Sequence, residues 1–372
     1  MSLCLINTIF DYYSCMKLVG YWASQEQYSM HDLISFVREA ESGGFTTTMT
    51  SDHFHPWWND GGFGNFTWVW LTAAAERTKN MKFVTGVTSP VYRYNPAIVA
   101  QAFASLDVLY PGRISLGIGT GEAMNEVSAG FDWPAAEIRL ARTIEAIHII
   151  NNLWNKKQKQ LQPDSNSNNK VKPDSNSEYI DDEGFLTYEG RYYRTKSAKL
   201  YTPPPTKIPL YMAASGTEAV HTAAKYTDGL ITIEKPEKTK EKFDEFNKAA
   251  IKVGKDPKRL HKIGKPKISF SEDYDKAFKS AGFWRAGEIE NVFNSPINDP
   301  RELQEKALKE VSDEKLKEST LIVTSIEDLI KPLDEYFKAG FTQIYLHSTS
   351  PNELDFVREF CKKVLPYFGK NE

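Results

Sequence analysis

The sequence predicts an α/β protein folded as a (β/α)8 TIM barrel, and three observations carry this. Apolar, β-rich runs alternate with amphipathic helical patterns over most of the 372 residues, the pattern of βα units around a parallel sheet. Candidate strands begin near Lys17, Thr46, Lys82, Arg113, Pro209, Gly229, Lys265 and Thr342, and eight of them favour a closed barrel over an open doubly wound sheet. Polar residues also collect just beyond these strands, where barrel enzymes place their chemistry. With 41% hydrophobic and 13% aromatic residues, the chain has the means to bury a large core.

Residues 1–15 lack the basic stretch and small-residue cleavage site of a secretory signal. They precede the first convincing strand, Lys17-Leu18-Val19-Gly20-Tyr21-Trp22. They are expected to form a tail, with Met16 as an alternative start and a single barrel domain over 16–372. The clearest helix follows the third strand. Asn95 caps it, Pro96 suits its first position, and Ile98, Val99, Ala102, Phe103, Leu106 and Leu109 form an apolar stripe that stops at Pro111-Gly112.

Between Lys156 and Gly184 the chain is polar and repeats Pro-Asp-Ser-Asn-Ser at Pro163 and Pro173. Such a low-complexity stretch buries too little apolar surface to offset its ordering entropy, so 156–184 is expected to be a mobile surface insertion. From Lys235 to Lys267 lysines mix with Glu and Asp at helical spacing, the pattern of a solvated helix face.

A net charge of −3, with both signs interleaved, gives no basic face for nucleic acid. The three cysteines, Cys4, Cys15 and Cys361, show no CxxC spacing, which argues against a disulfide framework and fits a reducing, cytoplasmic compartment. No run reaches the ~18 apolar residues of a membrane span.

The strand ends carry the candidate site. Glu26 follows strand one, Asp52, His53 and Trp57 follow strand two, and Ser89 ends strand three. Glu122 and Asn125 lie beyond the small-residue run Ser115–Gly121, and Ser215-Gly216-Thr217 leads from strand five into a helix. Small residues let a ligand approach the backbone, and amides opening a helix suit a phosphate. Each residue also has a bland reading: His53 as a satisfied structural histidine, Trp57 as rim packing, Glu122 as an acid suited to a helix start. Their convergence favours function.

Gly117-x-Gly119-x-Gly121 is not a dinucleotide fingerprint, because Glu122 stands where the third glycine belongs. His53-x-His55 has the form of a metal pair on a barrel strand, but such a site needs later ligands. Of the other histidines only His347 sits at a late strand end; His148 and His221 fall inside helices and His261 precedes a strand.

Taken together, these residues resemble the luciferase-like flavin and deazaflavin oxidoreductases, in the branch of glucose-6-phosphate dehydrogenases that use coenzyme F420. The likeness runs from Met16 to the C-terminal helix, apart from the insertion. It is carried by Gly20-Tyr21-Trp22-Ala23-Ser24, by the run Ser51-Asp52-His53-Phe54-His55-Pro56-Trp57, by Tyr92-Arg93-Tyr94-Asn95-Pro96-Ala97 and Ala100-Gln101-Ala102-Phe103-Ala104, and by Gly119-Thr120-Gly121-Glu122-Ala123-Met124-Asn125-Glu126; Tyr188–Tyr193 extends it.

The resemblance implies a homodimeric barrel that moves a hydride to the deazaflavin. It implies a cofactor cleft lined by Asp52, the Gly86-Val87 peptide, often cis in the family, Ser89, Thr120, Gly121, Glu122, Asn125, Ser215 and Gly216. His53 would act at the substrate hydroxyl, with Trp57 and Glu26 beside the reacting carbon. The chemistry asks for such a group independently: oxidising a carbinol removes the O–H proton as hydride leaves carbon, work suited to an imidazole and worth ~10²–10⁴ in rate. Glu122 could supply a proton to the reduced ring if burial raises its pKa, and Glu26 and Glu122 could exchange roles.

One departure stands out. Where that branch carries phosphate-binding cations, this sequence has Pro236, Asn294 and Thr320. Lys235 and Arg285 lie near enough in sequence to substitute, and with His347 they complete the candidates for substrate binding. The expected substrate is therefore another alcohol, hemiacetal or sugar. The alternatives are an FMN-dependent luciferase-like monooxygenase, a metal-dependent hydrolase using His53 and His55, and a cofactor-binding protein without catalysis.

Overall fold

The computed structural model describes residues 17–155 and 177–369. The expected tail, 1–15, lies outside the described residues. In chain order the strands are β1 (Leu18–Ala23), β2 (Thr47–Thr50), β3 (Lys82–Thr85), β4 (Ile114–Ile118), β5 (Ser177–Ile180), β6 (Leu186–Glu189), β7 (Arg194–Ala198), β8 (Leu210–Ala213), β9 (Gly229–Thr232), β10 (His261–Gly264), β11 (Lys267–Phe270), β12 (Leu321–Val323) and β13 (Gln343–Ser348). The helices that pack around them are α1 (Met30–Ser42), α2 (Thr67–Glu76), α3 (Pro96–Leu109), α4 (Ala136–Trp154), α5 (Thr217–Tyr226), α6 (Lys240–Lys252), α7 (Ile330–Lys338) and α8 (Glu353–Lys363).

Eight parallel strands close the barrel in the order β1-β2-β3-β4-β8-β9-β10-β13, and β13 returns to β1 with Gly20 opposite Tyr345. Strand alternation sorts the side chains into two cores. Trp22, Met49, Val84, Tyr211, Ile231, Ile263 and Tyr345 fill the interior. The outward set, including Tyr21, Phe83, Leu116 and Leu346, packs with the helices around residues such as Leu33, Trp70 and Phe103.

Seven strands start within a residue of the sequence expectation; the seventh differs. Its barrel strand is β10, so His261 lies on the strand and does not precede it. The chain then breaks at Lys265-Pro266 and resumes as β11, which pairs with the far end of β13 and with β12. Pro266 has no N–H for the ladder, although its carbonyl still accepts from the His347 amide at 2.9 Å. Between β11 and β12 the chain makes an excursion through residues 271–320. A separate apolar cluster, containing Trp284, Val292, Leu303 and Val311, seats it on Trp57 and Met124 at the barrel mouth.

Three local expectations need correction. Asn95 Oδ1 accepts from the Ala97 amide at 2.9 Å, as a cap should, and Val99, Phe103 and Leu106 are buried. Ile98 and Leu109, however, are 54% and 61% exposed, so the stripe is wider than the face it buries. In the insertion, residues 156–176 lie outside the described residues, but its last part is ordered. Ser177–Ile180 forms β5 on β6 in an antiparallel three-stranded sheet with β7. Asp181 Oδ1 accepts from the Glu183 and Phe185 amides, which closes the intervening turn. The lysine-rich stretch behaves as expected over α6, where Phe243, Phe246 and Ala250 are the buried residues, but not at Lys265 and Lys267.

Gly117 shows how tightly β3 and β4 approach. Thr85 Oγ1 donates to its carbonyl and accepts from its amide, and an added Cβ would stand 1.9 Å from the Thr85 carbonyl oxygen. Gly117→Ala is expected to lower stability by about 1–3 kcal/mol or more by urea denaturation. Gly287→Ala, with nothing within 4 Å of the new methyl, should stay within about 0.5 kcal/mol of wild type.

Candidate active site

The site is built on the turn after β2. Asp52, 2% exposed, anchors that turn: its carboxylate accepts from Thr88 Oγ1 at 2.6 Å and from Tyr94 Oη at 3.2 Å, with Arg93 Nη2 3.3 Å from Oδ1. The same guanidinium donates to the Asp52 carbonyl at 2.5 Å. A backbone clamped this firmly fixes the next residue, His53.

The His53 imidazole stands between two carboxylates. Nε2 lies 3.4 Å from Glu26 Oε1 and 3.5 Å from Glu122 Oε2, and the ring centre is 5.9 Å from that of Trp57. Glu26 is 1% exposed and accepts a hydrogen bond from Ser51 Oγ. Asn125 ties the β2 and β4 ends together: Oδ1 accepts from the Phe54 amide at 2.8 Å, while Nδ2 donates to Glu122 Oε2 at 3.2 Å and lies 3.5 Å from His53 Nδ1. Burial, reinforced by Glu26, raises the pKa of Glu122 despite His53, Lys265 and Arg93. Its carboxyl therefore releases its proton at higher pH than an ordinary glutamate.

Beside this group the structure gathers buried polar atoms around a glycine turn. Gly86-Val87 is a cis peptide, and Val87 Cγ2 would lie 2.5 Å from a Cβ at Gly119. Gly121 has φ +83°, and a Cβ there would meet Ser89 Oγ at 2.9 Å and Glu126 Oε1 at 3.1 Å. Those two oxygens and Arg93 Nε are buried together, with Arg93 Nε 3.7 Å from Glu126 Oε1. Across the mouth, α5 begins at Gly216 with no side-chain cap, and nothing lies within 4 Å of a Cβ at that glycine. Its free amides suit an anionic group.

Not every candidate joins the cluster. His55 turns away, with Nδ1 3.2 Å from the Asn298 carbonyl. Among the described residues no group of three or more His, Cys, Asp and Glu side chains could hold a metal ion. Lys235 donates to the Glu318 carbonyl, and Arg285 to the Val311 carbonyl at 2.7 Å and to Asp313 at 2.5 Å. Asn294 Oδ1 accepts from Arg139 Nη2 at 2.7 Å. His347 is wholly buried behind the wall rings: its ring centre is 5.4 Å from Trp22 and 4.2 Å from Trp284, and Nε2 lies 3.1 Å from Ser24 Oγ. Burial, then Lys265 and Lys267, push its pKa well down, so it serves the wall as a neutral ring.

The sequence reading missed Lys265, Trp22 and Trp284. Lys265 Nζ lies 4.2 Å from the centre of the Trp22 ring and 5.9 Å from that of Trp284. Counting by twos from Ile263, which faces the barrel interior, keeps Lys265 on the inward side; the lysine-rich helix before it masked that period. Trp284 is held from behind. Its Nε1 donates to Gln27 Oε1 at 2.8 Å, Gln27 Nε2 donates to Tyr28 Oη at 2.8 Å, and Tyr28 Oη donates to Glu353 Oε2 at 3.4 Å.

A closed parallel barrel with an imidazole between carboxylates at its strand ends defines a barrel acid–base site, and the comparisons give its class. The chain belongs to the luciferase-like monooxygenase family, whose profile matches residues 13–343. It is 33% identical to the F420-dependent glucose-6-phosphate dehydrogenase of Microbacterium testaceum, over 94% of this chain and 97% of that one. The enzyme of the same description from Mycolicibacterium smegmatis is 32% identical over 95% and 98%. Among solved structures, an F420-dependent secondary alcohol dehydrogenase in complex with an F420-acetone adduct superposes with TM-score 0.83 at 32% identity, covering 94% of this chain and 98% of that one.

Burial raises the Glu353 pKa to about 7, above the ordinary glutamate value. The folded protein thus holds this proton more tightly than the unfolded chain. That stabilisation is complete below the ordinary glutamate pKa and is lost as pH rises through about 7. The urea midpoint of wild type should fall between pH 5 and 8, and Glu353→Gln should flatten that fall.

Proposed function

We propose that this protein is a coenzyme F420-dependent oxidoreductase that takes a hydride from an alcohol, hemiacetal or sugar carbon. The observation that carries it is the position of His53 Nε2, 3.4 and 3.5 Å from two carboxylates at the mouth of a barrel shared with F420-dependent relatives. The buried polar groups of Ser89, Glu126 and Arg93 around Gly121 and the open α5 start fit a cofactor of that kind. Asp52, Gly86, Val87, Ser89, Thr120, Gly121, Asn125, Ser215 and Gly216 would hold it.

When bound, the deazaflavin supplies a two-electron hydride acceptor. His53 Nε2 accepts the hydroxyl proton, and the paired Glu26 stabilises the resulting imidazolium. Glu122, whose pKa burial raises, is placed to supply the proton that balances the transferred hydride. Trp57, 5% exposed, excludes water from the reacting carbon. The missing phosphate cations, with Lys235 and Arg285 engaged elsewhere, favour an uncharged substrate.

A homodimer and a cytoplasmic location complete the proposal. Val69, Ile98, Leu109, Phe54 and Phe66 leave apolar surface on and around α2 and α3, the kind of face that a second copy covers. Among the described residues no helix is long and apolar enough to cross a membrane.

His53→Ala should lower F420 reduction by an alcohol ~10²–10⁴-fold, with F420 affinity by fluorescence titration within a few-fold of wild type. Wild-type turnover in that variant, or oxygen uptake with reduced FMN in place of F420 reduction, overturns the reading. In sedimentation, wild type should run as a dimer, and the double variant Ile98→Glu/Leu109→Glu should shift toward monomer.

A further inference from the structure

Among the described residues, Lys265 is a charged group near the carboxylates flanking His53 that the proposed chemistry does not use. It follows the last residue of β10, at the break that Pro266 makes in the seventh strand. Its ammonium lies 4.2 Å from the centre of the Trp22 ring and 5.9 Å from that of Trp284. The carboxylates that face it electrostatically are those of Glu26 and Glu122, the same two that flank His53 Nε2. Two residues along, Lys267 pairs with Glu288. Lys265 has no such partner: among the described residues no hydrogen-bond acceptor meets its Nζ.

We infer that Lys265 is a substrate-binding residue that donates from Nζ to an oxygen on the carbon next to the reacting carbinol, so that the site selects vicinally oxygenated alcohols over simple ones. This rests on the function proposed above. Imidazole and ammonium address the same carboxylate pair from different strands, β2 and β10. In this proposal a carbinol oxygen set against His53 directs its neighbouring carbon toward Lys265. An ammonium packed beside two indoles gains from an acceptor oxygen what it has lost in water, and a methyl in that position leaves it unsatisfied. Such differences discriminate more sharply than the fit of a methylene. Burial lowers the Lys265 pKa to about 8 against the pull of the two carboxylates, so near neutral pH the group is still a cation and a full donor.

The test uses three secondary alcohols of one shape: 2-propanol, propane-1,2-diol and lactate. With the F420-loaded enzyme, the ratio of kcat/KM for the better of the two oxygenated substrates to that for 2-propanol should exceed ten. Lys265→Met should collapse that ratio at least tenfold, and Lys265→Arg should recover part of it. Independently of turnover, the 15Nζ resonance of Lys265, assigned by its loss in Lys265→Met, should shift on adding the diol or lactate and stay in place with 2-propanol. The two oxygenated arms separate a neutral hydroxyl from a carboxylate as the oxygen held. An unmoved resonance, or a ratio that Lys265→Met leaves intact, overturns the inference while F420 reduction still supports the function. A shifted resonance without F420 reduction by any of the three supports Lys265 as a binding residue and removes the dehydrogenase reading.

Discussion

The placement of one imidazole between two carboxylates, one of them wholly buried, is the constraint on which the rest of the site depends. Two carboxylates facing one gap repel each other, and desolvation together with this repulsion raises the pKa of Glu122. His53 Nε2 stands in that gap, and Lys265 and Arg93 add positive charge around Glu122. The surrounding bonds hold the gap at its width. Ser51 donates to Glu26, Asn125 bridges the β2 and β4 ends, and the Asp52–Arg93 clamp fixes the turn that carries the imidazole. Geometry of this kind is electrostatic preorganisation: the polar groups are in place before a substrate arrives.

The walls of the cavity depend on a different kind of support. Trp22 and Trp284 are braced by contacts that never reach the cavity: His347 packs against both rings, and Gln27, Tyr28 and Glu353 form a hydrogen-bonded line behind the Trp284 indole. A ring braced on both its face and its N–H keeps its rotamer, and rigid first contacts of this sort give a pocket its shape.

Much of this was legible in the sequence, for identifiable reasons. Strand alternation and the Asn95-Pro96 cap are local signals, so seven barrel strands and the start of α3 follow from a few adjacent residues each. The cluster at Asp52, His53, Glu122 and Asn125 was legible because a parallel barrel sends every strand end to one face. Lys265 and Trp284 were not. The first follows a lysine-rich helix whose pattern hides the period of the short strand β10, and the second comes to the site by tertiary packing of the 271–320 excursion, which no local pattern records. The same limit applies to Ile98 and Leu109: their spacing continues the apolar stripe, but which part of it finds a neighbour is decided by the other helices. β5 was missed because the composition of 156–184 was read as a whole, whereas pairing with β6 needs only Ser177–Ile180.

The break at Pro266 has an evolutionary consequence. Barrel closure uses β10 and β13, so the segment between β11 and β12 hangs from the rim as a cassette whose length does not alter the register of the closing strands. It still delivers Trp284 to the cavity wall. Changes in that cassette can therefore retune which molecules are accepted while the hydride-handling apparatus on the second and fourth strands is inherited intact, a division of labour through which one scaffold diversifies its chemistry.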